Sequence, residues 1–437
     1  MVLGWGRRSN KTRKPKLDLV IPNHFICPVS LDLIKDPVTL STGITYDRES
    51  IERWFEQGNF TCPVTNQILS SFDLVPNHSL RVMIQDWCVE NRRFGIERIP
   101  TPRIPVTPIQ VEEILFQLVA SASRLDRYGF LQGVDRIKEW GSESERNRRC
   151  IVDNGTPSVL ASAFREFAND SIEENVSVLE EILNALNWML PLQLEAQKIL
   201  QSSDALRCLV WFFGHQDLSG KQNAIVALRQ ILSSGDKHTF ETMAEIEGTI
   251  EPLVEFINKR INPTITKASL GIVYYLVSSS YPSSEKVKLE FIELGLISSL
   301  LEILIDADKS LSEKALGVFD SLCDCQKGRE KAFSNALTVP VLVKKILRIS
   351  ALATNYCVSA MWKLCRYGSK DDDEDEVEEA LIEALQVGAF QKLLVVLQVG
   401  CGDETKEKAT ELLKLFNPYR AGLECIDSDF KNLKRSF

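Results

Sequence analysis

Histidine is scarce in this chain of 437 residues: only His24, His78, His215 and His238 are present, too dispersed to frame a catalytic or metal-binding cluster by spacing. The eleven cysteines are odd in number and have no framework spacing, which excludes a disulfide scaffold and fits free thiols in a reducing compartment. No apolar run approaches the length of a membrane span. Met1-Val2-Leu3-Gly4-Trp5 does not lead into an apolar segment, so a secretory signal is not expected, and Gly4 is misplaced for myristoylation. A Gly-x-Ser-x-Gly elbow is missing too. The nearest approach to a phosphate loop, from Gly214 to Lys221, is one residue too long and continues into Gln222 where a hydroxyl must reach magnesium. Excess positive charge is also lacking, and the net charge of −9 argues against nucleic acid as a partner. From these absences a cytoplasmic or nuclear protein is expected, with no cofactor.

What is present is a folded composition, 44% hydrophobic and 25% charged, in a chain long enough for two units or a repeat array. Residues 1–20 carry Arg7, Arg8, Lys11, Arg13, Lys14 and Lys16, and read as a solvated tail, with a nuclear-localisation patch as the alternative. In residues 21–94, Val38-Thr39-Leu40 and Ile44-Thr45-Tyr46 flank Ser41-Thr42-Gly43, the pattern of a small β-hairpin. Asp47 stands where it would cap a helix running through Phe55, with Ile51, Trp54 and Phe55 on one face and Gly58 past the end. Asn77 opens a second helix whose apolar stripe is Leu80, Met83, Ile84, Trp87 and Cys88. Two loops lie between, around Cys27-Pro28-Val29 and Cys62-Pro63-Val64.

Taken in order, Ile21-Pro22-Asn23-His24-Phe25-Ile26-Cys27-Pro28-Val29-Ser30, Asp36-Pro37-Val38, Gly43-Ile44-Thr45-Tyr46-Asp47, Trp54, Thr61-Cys62-Pro63-Val64-Thr65 and Pro76-Asn77-His78 closely resemble a U-box, the zinc-free relative of the RING domain. A RING needs seven or eight Cys and His ligands in paired motifs. Here Ser30 and Thr65 stand where second cysteines would be, and the middle of the segment offers Tyr46 and Asp47, so no metal is expected. The resemblance implies that hydrogen bonds and a packed core replace the metal. It further implies recruitment of a ubiquitin-loaded E2 enzyme through a shallow groove formed by Val29, Trp54 and Pro63. At the position where many such ligases carry an arginine bridging E2 and ubiquitin stands Asn66, uncharged and with fewer donors. An enzyme of this kind has no nucleophile of its own and acts by proximity and orientation. Cys27 and Cys62 are accordingly read as small buried residues, not catalytic thiols.

Residues 95–110 are rich in proline and read as an extended linker. From 111 to 418 the apolar spacing becomes i, i+3, i+4, i+7. Four times a glycine is followed five positions later by a leucine opening an apolar helix: Gly155 and Leu160, Gly248 and Leu253, Gly295 and Leu300, Gly388 and Leu393. Asp204 with Leu209 and Ala336 with Val341 fill the gaps, giving a period of about 40 to 50 residues, that of armadillo or HEAT units. The glycine is expected to precede the long helix lining the inner surface. Trp188, Trp211 and Trp362 are expected in the core, Asp371 to Glu376 in a solvated loop, and Asn417-Pro418 at the end of the array, before a polar tail over 419–437.

The fold class expected is therefore mainly α: a small α+β U-box followed by an armadillo-type α-solenoid. The whole chain resembles the short plant U-box/armadillo E3 ubiquitin ligases. That resemblance implies E2, ubiquitin and array-bound protein substrates as partners and a role in stress or defence signalling; the sequence leaves the oligomeric state open, a homodimer included. A non-enzymatic armadillo scaffold with an inactive U-box is the competing reading.

Overall fold

A computed structural model of the protein describes residues 21–99, 105–215, 217–367 and 374–420. The basic tail, most of the linker, half of the acidic run and the residues after Arg420 lie outside the described residues. Two compact units divide at Pro105 and Val106.

In the first unit a 3-10 turn at Asn23–Phe25 precedes β1 (Pro37–Thr39), β2 (Thr45–Asp47) and α1 (Arg48–Glu56). Then come β3 (Val75–Pro76) and α2 (His78–Glu90). The hairpin forms as its turn residues predict, antiparallel, with Val38 opposite Tyr46 and Gly43 at φ +78°. Sequence reading missed β3, which pairs with the other edge of β1 to give the order β2-β1-β3. A two-residue strand containing a proline carries no alternation to detect. Asn77 welds α2 to this sheet. Its Oδ1 accepts from the Leu80 N–H at 3.0 Å while its Nδ2 reaches Thr45 Oγ1 at 3.3 Å and Thr39 Oγ1 at 3.4 Å. Phe25, Ile34, Val38, Tyr46, Ile51 and Ile84 form the core, joined from beyond α2 by Ile99. Met83, expected on the buried stripe, is exposed, because it is Ile84 and Cys88 that face the core.

The second unit is a stack of helices. It opens with α3 (Pro108–Ser123) and α4 (Arg127–Glu143). Pro108, inside the stretch read as linker, occupies the first turn of α3, where its missing N–H costs nothing, and Thr107 and Gln110 close a reciprocal capping box. Among the described residues, six triplets follow. They are α5, α6, α7 (Glu145–Asp153, Thr156–Asp170, Ile172–Trp188); α8, α9, α10 (Leu194–Leu200, Ser203–His215, Leu218–Leu232); and α11, α12, α13 (Lys237–Glu245, Ile250–Lys259, Pro263–Ser278). After them come α14, α15, α16 (Ser284–Glu293, Leu296–Asp306, Lys309–Leu322); α17, α18, α19 (Gln326–Phe333, Thr338–Lys345, Ala351–Tyr367); and α20, α21, α22 (Glu374–Gln386, Ala389–Val399, Asp403–Arg420).

The six anchors Leu160, Leu209, Leu253, Leu300, Val341 and Leu393 all fall on the middle helix of a triplet and are all buried. Gly155, Gly248, Gly295 and Gly388 turn the chain into that helix with φ between +80° and +86°, where a Cβ would be strained. They therefore precede the middle helix. The long layer is built by the helix after it: α4, α7, α10, α13, α16, α19 and α22 pack successively into one ladder. A third helix is the natural ladder rung, since each rung buries its apolar face only when the next stacks on it.

Three further expectations change. Trp188, Trp211 and Trp362 are half-buried, their faces covered by Arg148, His215, and Arg366 with Lys408 respectively. A stacked guanidinium, ammonium or imidazole shields a tryptophan face without full burial. The acidic run is not all loop, since Glu374, Asp375 and Glu376 open α20, where negative residues suit the N-terminal end of a helix. Nor does Pro418 end the array, because α22 continues through it to Arg420. No described helix is long and apolar enough to cross a membrane by itself.

Candidate functional site

The two cysteine loops of the first unit are built alike. In loop one the Cys27 N–H donates to the Asp32 carbonyl (2.8 Å) and the Leu31 N–H returns to the Cys27 carbonyl (2.9 Å). In loop two the Cys62 N–H donates to Gln67 (2.9 Å) and the Asn66 N–H to Cys62 (2.8 Å). An outer pair repeats as well, Ile34 to Phe25 and Leu69 to Phe60, around isolated bridges Ile26 to Leu33 and Thr61 to Ile68. Leu31 and Asn66 even share the left-handed conformation, with φ of 61° and 55°. The sequence signal for this twinning is the repeat of Cys-Pro-Val followed by a hydroxyl residue, Ser30 or Thr65.

Strand β2 fastens both loops. Tyr46, fully buried, places its hydroxyl 3.0 Å from Cys62 Sγ and accepts from the Val64 N–H at 3.4 Å. Next along the strand, the Asp47 N–H donates to Cys27 Sγ at 3.3 Å. Asp47 stands at the N-cap of α1 as its type suggests, but its carboxylate does not cap the helix. Its Oδ1 accepts instead from the N–H groups of Lys35 (2.8 Å) and Asp36 (2.9 Å), pulling the end of loop one onto β2. A carboxylate satisfies more orphan donors there than in a capping role. Arg48 completes the tie through Asp36 Oδ2 at 2.6 Å.

The electrostatics follow from these donors. Burial alone would raise the Cys62 thiol, but hydrogen bonds from Thr42, Thr65 and Tyr46 overcome it and bring the thiol down to about 6. Burial likewise opposes the Cys27 thiolate, and the backbone N–H groups of Ser30, Asp47 and Val29 more than offset it, lowering the thiol. Tyr46 moves the opposite way, raised by burial and by the neighbouring Cys62 sulphur. The phenol thus donates and the sulphur accepts. Each sulphur faces N–H and O–H donors, a polarity that suits an anion acceptor and repels a metal cation. Among the described residues, no group of three or more His, Cys, Asp or Glu could hold a metal ion.

Around this frame stand the residues singled out in the sequence. Val29 is exposed at the tip of loop one. Trp54 lies half-buried on α1 and donates from Nε1 to the Thr61 carbonyl at 2.8 Å, which joins the helix to loop two directly before Cys62 and Pro63. Pro63 is half-buried, and Asn66 presents an exposed side chain from its left-handed turn. Hydrogen bonding therefore brings Trp54 and the Pro63 loop together, and β2 ties the loop that carries Val29 to the same frame. Sequence reasoning named Val64 only as part of loop two and did not single out Phe60, Ile68 and Phe72; all four expose large apolar side chains on and beside loop two. Phe72 packs edge-on between Phe55 and Phe60, at centroid distances of 5.4 and 5.8 Å.

The sequence matches two described families, the U-box domain over residues 21–93 and the "Plant U-box protein ARM repeat region" over residues 110–435. The chain belongs to the plant U-box proteins with armadillo repeats. Similar relatives, all from Arabidopsis thaliana, span nearly its whole length. U-box domain-containing protein 21 is 42% identical over 99% of both chains. U-box domain-containing protein 20 is 41% identical over 97% of this chain and 94% of its own. The E3 ubiquitin-protein ligase PUB23 is 34% identical over 91% of this chain and 93% of its own. The twin loops are thus a U-box, and the helix triplets are armadillo repeats.

Proposed function

We propose that this U-box/armadillo protein is an E3 ubiquitin ligase that recruits a ubiquitin-loaded E2 at Val29, Trp54 and Pro63 and promotes transfer to a lysine of a substrate held by the armadillo array. The observation that carries the reading is the twin-loop frame, in which β2 pins both loops and Trp54 is locked to the Pro63 loop. Rigid support of this kind keeps a small apolar docking surface preformed, so little ordering entropy is lost when the E2 binds. Support also comes from relatives that carry the name E3 ubiquitin-protein ligase.

Transfer proceeds without a covalent ubiquitin intermediate on this chain. Cys62 has a thiol pulled down to about 6, yet its side chain is fully buried and held as a hydrogen-bond acceptor, so it cannot reach a thioester. Catalysis rests on holding the E2 thioester and the substrate lysine in productive geometry. The exposed Asn66 contributes at most a neutral donor near the transferred ubiquitin. Regulated protein turnover in plant stress or defence signalling, in the cytoplasm, completes the proposal on the strength of the family likeness.

Self-ubiquitination with purified E1, a panel of E2 enzymes and ubiquitin tests it. Val29→Ala, Trp54→Ala and Pro63→Ala should each reduce chain formation at least about tenfold, the loss expected when ~1.4 kcal/mol or more of binding disappears, without lowering the melting temperature of the array. A wild-type protein that forms no chains with any E2 would instead be a scaffold.

A further inference from the structure

The third-helix ladder carries its charges unevenly. Toward the C-terminal end, cations are matched. Lys363 lies between Asp320 (2.8 Å) and Asp324 (2.7 Å), Arg366 meets Glu411 at 2.7 Å and Lys408 meets Glu404 at 2.6 Å. On α10, α13 and α16 the pattern stops. Arg229, Lys267 and Lys314 come one from each of three successive rungs. Among the described residues, no hydrogen bond or ion pair engages any of the three side chains. The carboxylate next to them, Glu313, accepts instead from the Ser350 hydroxyl.

The backbone is shaped to hold these side chains on the surface. Gly271 of α13 lies directly under the Arg229 side chain, since a Cβ there would stand 3.1 Å from Arg229 Cδ and 3.3 Å from Nε. One rung further, Gly317 of α16 lies under Tyr274 and Tyr356, whose hydroxyls meet at 3.1 Å across it. Lys267, Gly271 and Tyr274 share one face of α13 by their i, i+4, i+7 spacing. Arginine, lysine and tyrosine thus lie on one continuous strip. Burial lowers the Lys314 ammonium, and the charges of Arg229 and Lys267 lower it further, so the three cations converge closely enough to repel one another.

We propose that Arg229, Lys267 and Lys314 form the docking point for an acidic segment of a partner protein, with a carboxylate or phosphoryl group seated among the three cations and the Tyr274–Tyr356 pair beside it. This names the substrate class for the array and rests on the reading of the array as the substrate-holding unit. Charge complementarity selects the occupant. In a chain of net charge −9, three cations on adjoining rungs face a single neighbouring carboxylate, Glu313, which offsets only part of their charge, and an incoming anion relieves the repulsion that is left. The guanidinium supplies the forked donors and the two ammonium groups the point charges that bind carboxylate and phosphoryl oxygens.

Fluorescence polarisation on the full chain tests this, with a labelled Asp/Glu-rich decapeptide, the same peptide with phosphoserine, a neutral Asn/Gln version and an oligonucleotide of equal charge as probes. The acidic and phosphorylated peptides should bind, and the neutral one at least tenfold more weakly. Arg229→Glu, Lys267→Glu and Lys314→Glu combined should abolish binding while E2-dependent self-ubiquitination persists, so failure of docking is told apart from failure of the ligase reading. Lys267→Glu alone, on an exposed side chain that tolerates change, should weaken binding about threefold, with Lys286→Glu on α14 as an unaffected control. Equal binding by wild-type and charge-reversed proteins, or tighter binding of the oligonucleotide than of either peptide, would overturn the proposal.

Discussion

Loop one and loop two of the U-box share a backbone and differ in what holds their sulphur. Both close with the same pair of N–H to carbonyl bonds and both place a residue in the left-handed region. Around Cys62 the donors include the side-chain hydroxyls of Tyr46, Thr42 and Thr65, whereas around Cys27 they come chiefly from backbone N–H groups. The difference shows two routes to one end. A loop shape that a metal can impose from its centre is here imposed from outside, by donors fixed on a strand, and the sulphur remains as the acceptor they converge on. Loop two depends on side chains that can be substituted, and loop one on main chain that cannot.

The largest effect expected from this contrast is on acid sensitivity. Folding lowers both thiols, Cys62 from 9.0 to about 6. A group depressed on folding stabilises the native state above its unfolded pKa and loses that contribution as pH falls through the folded one. The U-box should therefore lose stability between about pH 9 and about pH 6, read as a falling urea midpoint. Cys62→Ser should remove most of that slope and Cys27→Ser the lesser part; equal slopes would show that the two loops do not differ.

Tyr46→Phe sharpens the comparison next. It removes the hydroxyl shared by Cys62 Sγ and the Val64 N–H and leaves both without it, a loss of about 1–3 kcal/mol by denaturant unfolding. Hydrogen exchange should rise in loop two and not in loop one. The smallest effect concerns the left-handed residues. Leu31 pays for a conformation that Asn66 adopts more readily, so Leu31→Asn should stabilise the U-box by about 0.5–1 kcal/mol in the same titration.

Much of this was legible in the residues. The hairpin and the α2 cap follow from Gly43 and Asn77, and the repeat phase follows from six anchors, because turn chemistry and burial are local or periodic. What the residues hid was relational. Asp47 occupies a capping position, yet its carboxylate is recruited by two N–H groups about a dozen positions earlier in the chain. Pro418 reads as a stop, yet α22 carries through it with Leu415 and Tyr419 packed against the core. The three unpaired cations belong to different repeats and become neighbours only when the rungs stack.

The central claim, an E2-docking surface on a frame that needs no metal, is met most directly by one assay: self-ubiquitination with a cognate E2 in the presence of a zinc-specific chelator. Unchanged chain formation by the wild-type protein, with loss in Trp54→Ala, is the predicted result. Chain formation that stops with the chelator and returns on adding zinc, or that proceeds equally in Trp54→Ala, would contradict it.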